Sequence, residues 1–251
     1  MPTITLDHAS KFYPSERTHR WAGRHHEVGV EDVSLTIEQG DFIFVVGGSG
    51  SGKSTLLGLI SGDLRPNRGT VLLDGQPIRK RDRRLHIGQV WQDHRLVRRL
   101  TVAENLRLAA RQGGIREKRE KLEARIHKVL GLVGLAGVEE QFPVELAIGE
   151  CRRVELAQAL IHSPHILVLD EITAGLKDEN IWDIFHLLTE INRRGTTVVM
   201  STHAGQYVNI LRKRVVTLIH GHLFSDVPKG TYGDAVYIRK KLAPRKPKQI
   251  R

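Results

Sequence analysis

The stretch GGSGSGKST, residues 47–55, commits this chain to a chemistry more strongly than any other. Gly47, Gly52, Lys53 and Ser54 satisfy Gly-x-x-x-x-Gly-Lys-Ser/Thr, with the apolar run FIFVV before them and a helical pattern, KSTLLGLISG, after. Gly47, Gly48, Gly50 and Gly52 let the backbone wrap closely enough for successive N–H groups to face phosphate oxygens. A helix that starts at once adds the partial positive charge of its N-terminus. Lys53 is placed to reach β- and γ-phosphates, and the Ser54 hydroxyl to ligate Mg²⁺, with Ser49, Ser51 and Thr55 completing the loop. A merely flexible Gly/Ser loop needs neither the strand nor the helix. The stretch is read as a nucleoside-triphosphate site, with ATP and Mg²⁺ as the expected ligands.

HILVLDE supplies a second group of reactive side chains. Its apolar run ends at Asp170, at the carboxyl edge of a strand, where ligands bind in open α/β sheets. Asp170 is expected to hold Mg²⁺, and Glu171 to polarise the attacking water as general base. Two acids at a strand end can simply meet solvent. Downstream of a phosphate loop they read as catalytic.

The elements that must position these residues alternate along the chain. TITLDHASKFY reads as a strand, PSERTHRWAGRHHEVG as a polar excursion, and VEDVSLTIEQGDFIFVVG as further strand broken at Gln39-Gly40. Gly62 is a stop signal for the helix after the loop. Residues 70–92 read as short strands and turns. From 100 to 163 apolar residues recur at helical spacing with no convincing strand. HILVLD, IWDIFHLLTEINRR, TTVVMST, GQYVNILRK and RVVTLIHGHLF then alternate strand with helix. The expected class is α/β, a P-loop NTPase with a mixed, mainly parallel sheet and an inserted helical subdomain. The expected organisation is an ATP-binding core at 1–92 and 164–242, a helical subdomain at 93–163, and a basic, disordered tail at 243–251.

Composition narrows the setting. Hydrophobic content of 40% with 27% charged residues is that of a folded globular protein. No apolar run reaches membrane-span length. MPTITLDHAS lacks the basic-then-apolar pattern of a secretory leader, and the single cysteine, Cys151, excludes an internal disulfide framework. A cytoplasmic protein is expected. The formal charge of +11 is spread over short clusters such as RKRDRR and APRKPKQIR. Nucleic acid, an anionic membrane surface and plain solvation all answer to such charge. With only 5% aromatic residues and no basic patch interleaved with rings, a stacking platform for single strands is not expected, nor is a nucleic-acid partner. The histidines at 19, 25 and 26 sit in a basic, carboxylate-poor stretch and are read as solvent-exposed.

Phosphate loop, then VWQD, then ELAIGECRR directly before ILVLDE, then STH, resembles the motif order of the ATP-binding-cassette ATPases over nearly the whole chain. More narrowly, IGQVWQDHRLVRRLTVAENL, INRRGTTVVMSTH and GHLFSDVPKGTYG resemble the cell-division branch of that family, the FtsE proteins. The resemblance implies that Tyr13, or Phe12 beside it, stacks on adenine. It implies that Gln92 contacts Mg²⁺ and the attacking water, and that His203 hydrogen-bonds the γ-phosphate. Gly149 and Glu150 fit the signature that grips ATP held by a second subunit. Its further implications are a homodimer closing around ATP, an FtsX-like integral membrane partner, and a peripheral place on the cytoplasmic face of the membrane.

Four positions depart from the family pattern. Ala147 stands for the signature serine, Ile148 for its first glycine, Lys177 for an aspartate with Asp178 next to it, and Ile172 for a proline. Ala147 cannot donate a hydroxyl hydrogen bond, worth about 1.5–3 kcal/mol to a charged acceptor. Ile148 puts a β-branched side chain where backbone must approach phosphate, and a positive φ there would be costly. Binding of ATP within one subunit is expected to survive, and dimer closure and hydrolysis to be weakened. Three other readings stay open: a lipoprotein- or macrolide-type exporter ATPase, a nucleotide-dependent assembly module with little turnover, and one half of a heterodimer.

Overall fold

Three runs of five residues, Phe42–Val46, Ile166–Asp170 and Thr197–Ser201, are buried at every position. Strands read this way when both faces of their sheet are covered. In the computed structural model, which describes residues 3–14, 26–78, 87–93 and 95–233, they are β3, β7 and β8 of a six-stranded sheet. The other elements, in chain order, are β1 (Ile4–Pro14), β2 (His26–Ile37), α1 (Lys53–Ile60), β4 (Arg68–Leu73), β5 (Gln76–Pro77), β6 (Ile87–Val90), α2 (Val102–Gln112) and α3 (Arg119–Leu132). A 3₁₀ turn (Pro143–Glu145), α4 (Ile148–Leu160), α5 (Asp178–Arg193), α6 (Gly205–Leu211), β9 (Arg214–Ile219) and β10 (His222–Val227) complete the chain.

The large sheet runs β10-β9-β3-β8-β7-β6, parallel except for the edge strand β10. Alternate residues of β3 point to opposite faces. Ile43 and Val45 join Leu56, Leu57, Leu59 and Ile60 of α1 and the inner face of a second sheet. Phe42, Phe44 and Val46 join the apolar faces of α2 to α5. That second sheet, β2-β1-β4-β5, is wholly antiparallel. Periodicity in the sequence does not separate it from the parallel one, because alternation reports a strand's faces and not its partner.

Two readings of strand are corrected. RVVTLIHGHLF is a hairpin: Ile219 pairs with His222 around a two-residue turn, His220 and Gly221, both at positive φ (49° and 84°). That is the backbone a tight hairpin turn needs. The polar excursion also ends sooner than expected, since Glu27 and Val28 already pair with Tyr13 and Phe12. Residues 15–25, the cluster 79–84, the tail 243–251 and the side chain of His26 lie outside the described residues, and with them the expectations for His19, His25, His26, the basic clusters there and the tail.

Between the adjacent strands β6 and β7 the described chain is helical. Thr101 caps α2, its hydroxyl accepting from Glu104 N at 3.3 Å while the Glu104 carboxylate accepts from Thr101 N at 2.9 Å. Such a reciprocal cap satisfies two orphan donors. Asn105, fully buried, accepts from Val97 N and donates among the carbonyls of Val97, Leu100 and Thr101, fixing the turn before the helix. The helices share one continuous apolar cluster with the sheet. Among the described residues no helix is long and apolar enough to cross a membrane.

Candidate nucleotide site

Because β3, β7 and β8 are parallel, Val46, Asp170 and Ser201 end at one edge of the sheet. The phosphate loop leaves β3 there. Gly52 has φ +99°, and a Cβ on it would sit 2.1 Å from the carbonyl oxygen of Gly29. A Cβ on Gly47 would sit 2.4 Å from Leu218 O. Neither position tolerates a side chain, so the loop is clamped between β2 and β9. Ser51 O accepts from Gly221 N at 3.1 Å, so the hairpin turn buttresses the same loop. Lys53, 8% exposed by side chain, donates to the carbonyls of Gly47 and Gly48 at 3.2 Å each. Ser54, the second residue of α1, is exposed at the mouth, whereas the Ser51 hydroxyl is buried without a hydrogen-bond partner.

Asp170 and Glu171 are both buried, and Ser201 organises them. Its hydroxyl donates to Asp170 Oδ1 and accepts from Glu171 N at 3.0 Å. Glu171 adopts φ +51°, a left-handed conformation uncommon outside glycine. Its Oε1 lies 3.1 Å from His203 Nε2 and 3.7 Å from Lys53 Nζ. Neither contact has hydrogen-bond geometry, so this buried oxygen faces two nitrogen groups without a formal partner. Lys53 Nζ is also 3.5 Å from His203 Nε2. Lys53, Glu171 and His203, some 118 and 150 positions from the lysine in sequence, thus form one cluster. Ser201 went unnoticed in the sequence, although it opens the same STH as His203.

Tyr13 borders the loop: its hydroxyl is 3.2 Å from the Thr55 hydroxyl, and a Cβ on Gly29 would strike its ring. Phe12 instead lies beneath the Arg68 guanidinium, 5.8 Å from its centroid, and its N donates to Asn67. Of the two aromatics, Tyr13 is the one beside the phosphate loop. Gln92 is exposed, and its described contact is through the backbone: its carbonyl accepts from Arg152 Nη2 at 2.6 Å. Arg152 Nη1 also donates to Trp91 O at 3.2 Å and to Glu155 at 2.8 Å, and Glu155 accepts from Arg95 N at 3.1 Å. Arg152 and Glu155 were not singled out in the sequence.

Residues 147–150 form the start of α4. Ala147, the N-cap, has no oxygen to offer, and only the return half of a cap is made, Glu150 Oε2 accepting from Ala147 N at 2.8 Å. Gly149 is buried against Asn180, whose side chain a Cβ would meet at 2.9 Å. Among the described residues no hydrogen bond or ion pair joins 147–150 to the phosphate loop. Ile148 is 60% exposed, and it is the first helical residue, absent from the positive-φ positions. The expected cost of a positive φ there does not arise, because the helix begins one residue after Ala147. Lys177 is exposed, and Asp178 is engaged: its Oδ1 accepts from Tyr207 Oη and Gln206 Nε2, each at 3.2 Å. Asp178 is therefore not free to stand in for the missing aspartate at 177. Ile172 is fully buried.

The donors at this edge are oxygens, the Ser54 hydroxyl and the Asp170 carboxylate, which suit a hard cation such as Mg²⁺. Among the described residues no cluster of three or more His, Cys, Asp or Glu could hold an ion alone. An ion here would therefore share oxygens with a nucleotide, which is how Mg²⁺ is commonly bound.

A clamped phosphate loop facing a strand-end Asp-Glu pair is the site of a nucleoside-triphosphatase, and the ABC transporter family model matches residues 30–174. The chain belongs to that family, and it is an ABC-type ATPase whose domain binds ATP. It is 38% identical over 207 residues to the cell division ATP-binding protein FtsE of Streptococcus pneumoniae serotype 2, covering 80% of this chain and 89% of that protein. The FtsE of Mycobacterium tuberculosis is 38% identical over 92% of this chain and 98% of its own length. Among solved structures, the dimeric ATP-binding cassette MJ0796, in a post-hydrolysis state bound to ADP and Pi, superposes with a TM-score of 0.78. The identity to MJ0796 is 27%, over 91% of this chain and 98% of that one.

Proposed function

We propose that this chain is the ATP-binding subunit of an FtsEX-like membrane complex, coupling ATP binding and hydrolysis to cell division and to control of cell-wall hydrolases. The observation that carries the reading is the 38% identity to an FtsE that extends over nearly the full length of both proteins. In this reading Tyr13 stacks on adenine, the loop 47–55 cradles the phosphates and Lys53 faces the β- and γ-oxygens. Ser54, Asp170 and Gln92 would hold Mg²⁺, which neutralises charge on the phosphate oxygens. Glu171 takes a proton from water as the water oxygen bonds to the γ-phosphorus, and the bond to the β–γ bridging oxygen breaks to leave ADP and inorganic phosphate. His203 Nε2 contacts the transferred group.

The active form is a homodimer that closes around two nucleotides, docked to an FtsX-like protein on the cytoplasmic face of the membrane. The MJ0796 cassette, described as dimeric, supports the dimer. Each composite site would carry the same Ala147, Ile148 and Lys177. If their combined effect is ~3 kcal/mol in the transition state, turnover falls roughly a hundred-fold. Purifying the complex from membranes and identifying the membrane protein and the number of ATPase chains tests the proposal. A partner of the FtsX type with one kind of ATPase chain supports it.

One observation favours transport instead. The methionine import ATP-binding protein MetN 1 of Listeria innocua is 35% identical over 86% of this chain, although the match spans 64% of that protein. Recovery of an exporter- or importer-type membrane partner, or of two different ATPase chains, would replace the division reading.

A further inference from the structure

The segment after β10 folds back onto the nucleotide site. Gly230 N donates to Lys213 O at 3.1 Å, and Tyr232 N donates to Asn209 Oδ1 at 2.6 Å, so the backbone is anchored on both sides of Thr231. The Tyr232 ring lies over Gly205, where a Cβ would come within 2.8 Å of ring carbons Cγ and Cδ1. Gly205 therefore leaves room for the ring. From this seat the Tyr232 hydroxyl reaches His203 Nδ1 at 3.3 Å. Burial first, and then the negative charge of Glu171, hold the Tyr232 hydroxyl above its ordinary pKa, so it keeps its proton through the neutral range. A phenol in that form can give or accept a hydrogen bond, and it can satisfy Nδ1 in either imidazole tautomer.

The His203 side chain is 52% exposed, so packing alone does not fix its rotamer. Its Nε2 nevertheless points at the reacting groups, 3.1 Å from Glu171 Oε1 and 3.5 Å from Lys53 Nζ. Holding Nδ1 on one side of the ring dictates where Nε2 points on the other. A contact that orients a ring nitrogen through the opposite nitrogen is a familiar way to set imidazole chemistry. We propose that Tyr232 is a positioning residue for His203, its hydroxyl holding Nδ1 so that Nε2 stays turned toward Glu171 and the phosphate loop. The GTYG stretch thereby becomes part of the site, 29 residues from the histidine it serves.

The inference rests on the reading of His203 as a γ-phosphate contact, and the two can be tested apart. Tyr232→Phe keeps the ring over Gly205 and removes one oxygen. In full-length protein labelled with ¹⁵N-histidine, the resonance lost in His203→Ala identifies His203 among the 13 histidines. Its Nδ1 shift should move in Tyr232→Phe while the other histidines stay in place. MgATP turnover should fall about three- to ten-fold through kcat with KM nearly unchanged, the size of one ordinary hydrogen bond. In a His203→Ala background the same change should have no further effect. An unmoved Nδ1 shift, or an equal loss of turnover in both backgrounds, overturns the proposal. A moved shift with turnover indifferent to His203→Ala supports the positioning and overturns the γ-phosphate role.

Discussion

The Arg152 guanidinium donates to the carbonyl oxygen of Gln92 at 2.6 Å, joining α4 to the loop that carries the glutamine. Arg152 and Glu155 have side chains only 4% and 5% exposed, and together they bind Trp91 O, Gln92 O and Arg95 N. The first turns of α4 are therefore tied to Trp91, Gln92 and Arg95.

Removing one member of such a pair strands the other. Arg152→Ala should destabilise the protein by about 3–5 kcal/mol, the usual effect of leaving a buried charge unpaired. At roughly 2–4 °C per kcal/mol for a chain of this size, the melting temperature should drop by about 6–20 °C. Replacing both residues with apolar ones of similar volume should recover most of that loss. A melting point for Arg152→Ala within 2 °C of wild type would show that the pair is not what ties α4 to the loop.

The chemistry-bearing residues were legible where the motif is local and less so where it is assembled. Gly47 to Thr55 are contiguous, and Asp170 and Glu171 end an apolar run, so type and spacing sufficed. Ser201, Arg152 and Tyr232 lie in or beside recognisable stretches, but they act on residues 31, 60 and 29 positions away, and local spacing does not name those partners. The six-strand order was out of reach for a similar reason: β3 lies between β9 and β8, strands more than 150 residues further on. The His220-Gly221 turn was different. A Gly-containing pair between two apolar runs is a hairpin signal, and it was present in the sequence.

ATP binding should depend on Lys53. Its amine sits at the Gly47 and Gly48 carbonyls and near Glu171, on the loop that would hold the phosphates. Lys53→Ala should weaken MgATP binding at least ten-fold in calorimetry, about 1.4 kcal/mol or more. Correctly folded wild type that binds no MgATP would overturn the site itself.

Glu171 and Ser201 should separate binding from turnover. Glu171→Gln keeps the shape of the side chain and removes the base, so MgATP should bind normally and hydrolysis should stop. Ser201→Ala removes the hydroxyl that donates to Asp170 and accepts from Glu171 N. It should lower kcat while the melting point falls by about 2–12 °C, since one buried hydrogen-bonding group is worth about 1–3 kcal/mol. Steady-state hydrolysis together with calorimetry checks both. Unchanged turnover in Glu171→Gln would mean that the base lies elsewhere.

The start of α4 makes the last prediction two-sided. Ala147→Ser adds a hydroxyl at the N-cap, where Glu150 already makes the return hydrogen bond, so it should stabilise the monomer by about 0.5–2 kcal/mol. The same hydroxyl would be available to a γ-phosphate held by a second subunit. Ile148→Gly removes an apolar side chain that is 60% exposed, opening the approach to that phosphate at a small helical cost. Lys177→Asp is needed as well, because Asp178 is occupied by Tyr207 and Gln206. The triple variant should therefore form an ATP-dependent dimer more readily and hydrolyse faster, while monomer affinity for MgATP barely moves. Ala147→Ser alone should raise the melting point without the full gain in dimerisation, which separates capping from contact with the partner's nucleotide. Analytical ultracentrifugation with MgATP on a Glu171→Gln background, where the nucleotide is not consumed, reads the dimer directly. If the triple variant dimerises no better than wild type, residues 147, 148 and 177 do not limit closure. Ile148 and Val144, exposed four residues earlier, are then better understood as part of a surface fitted to a different, non-identical partner chain.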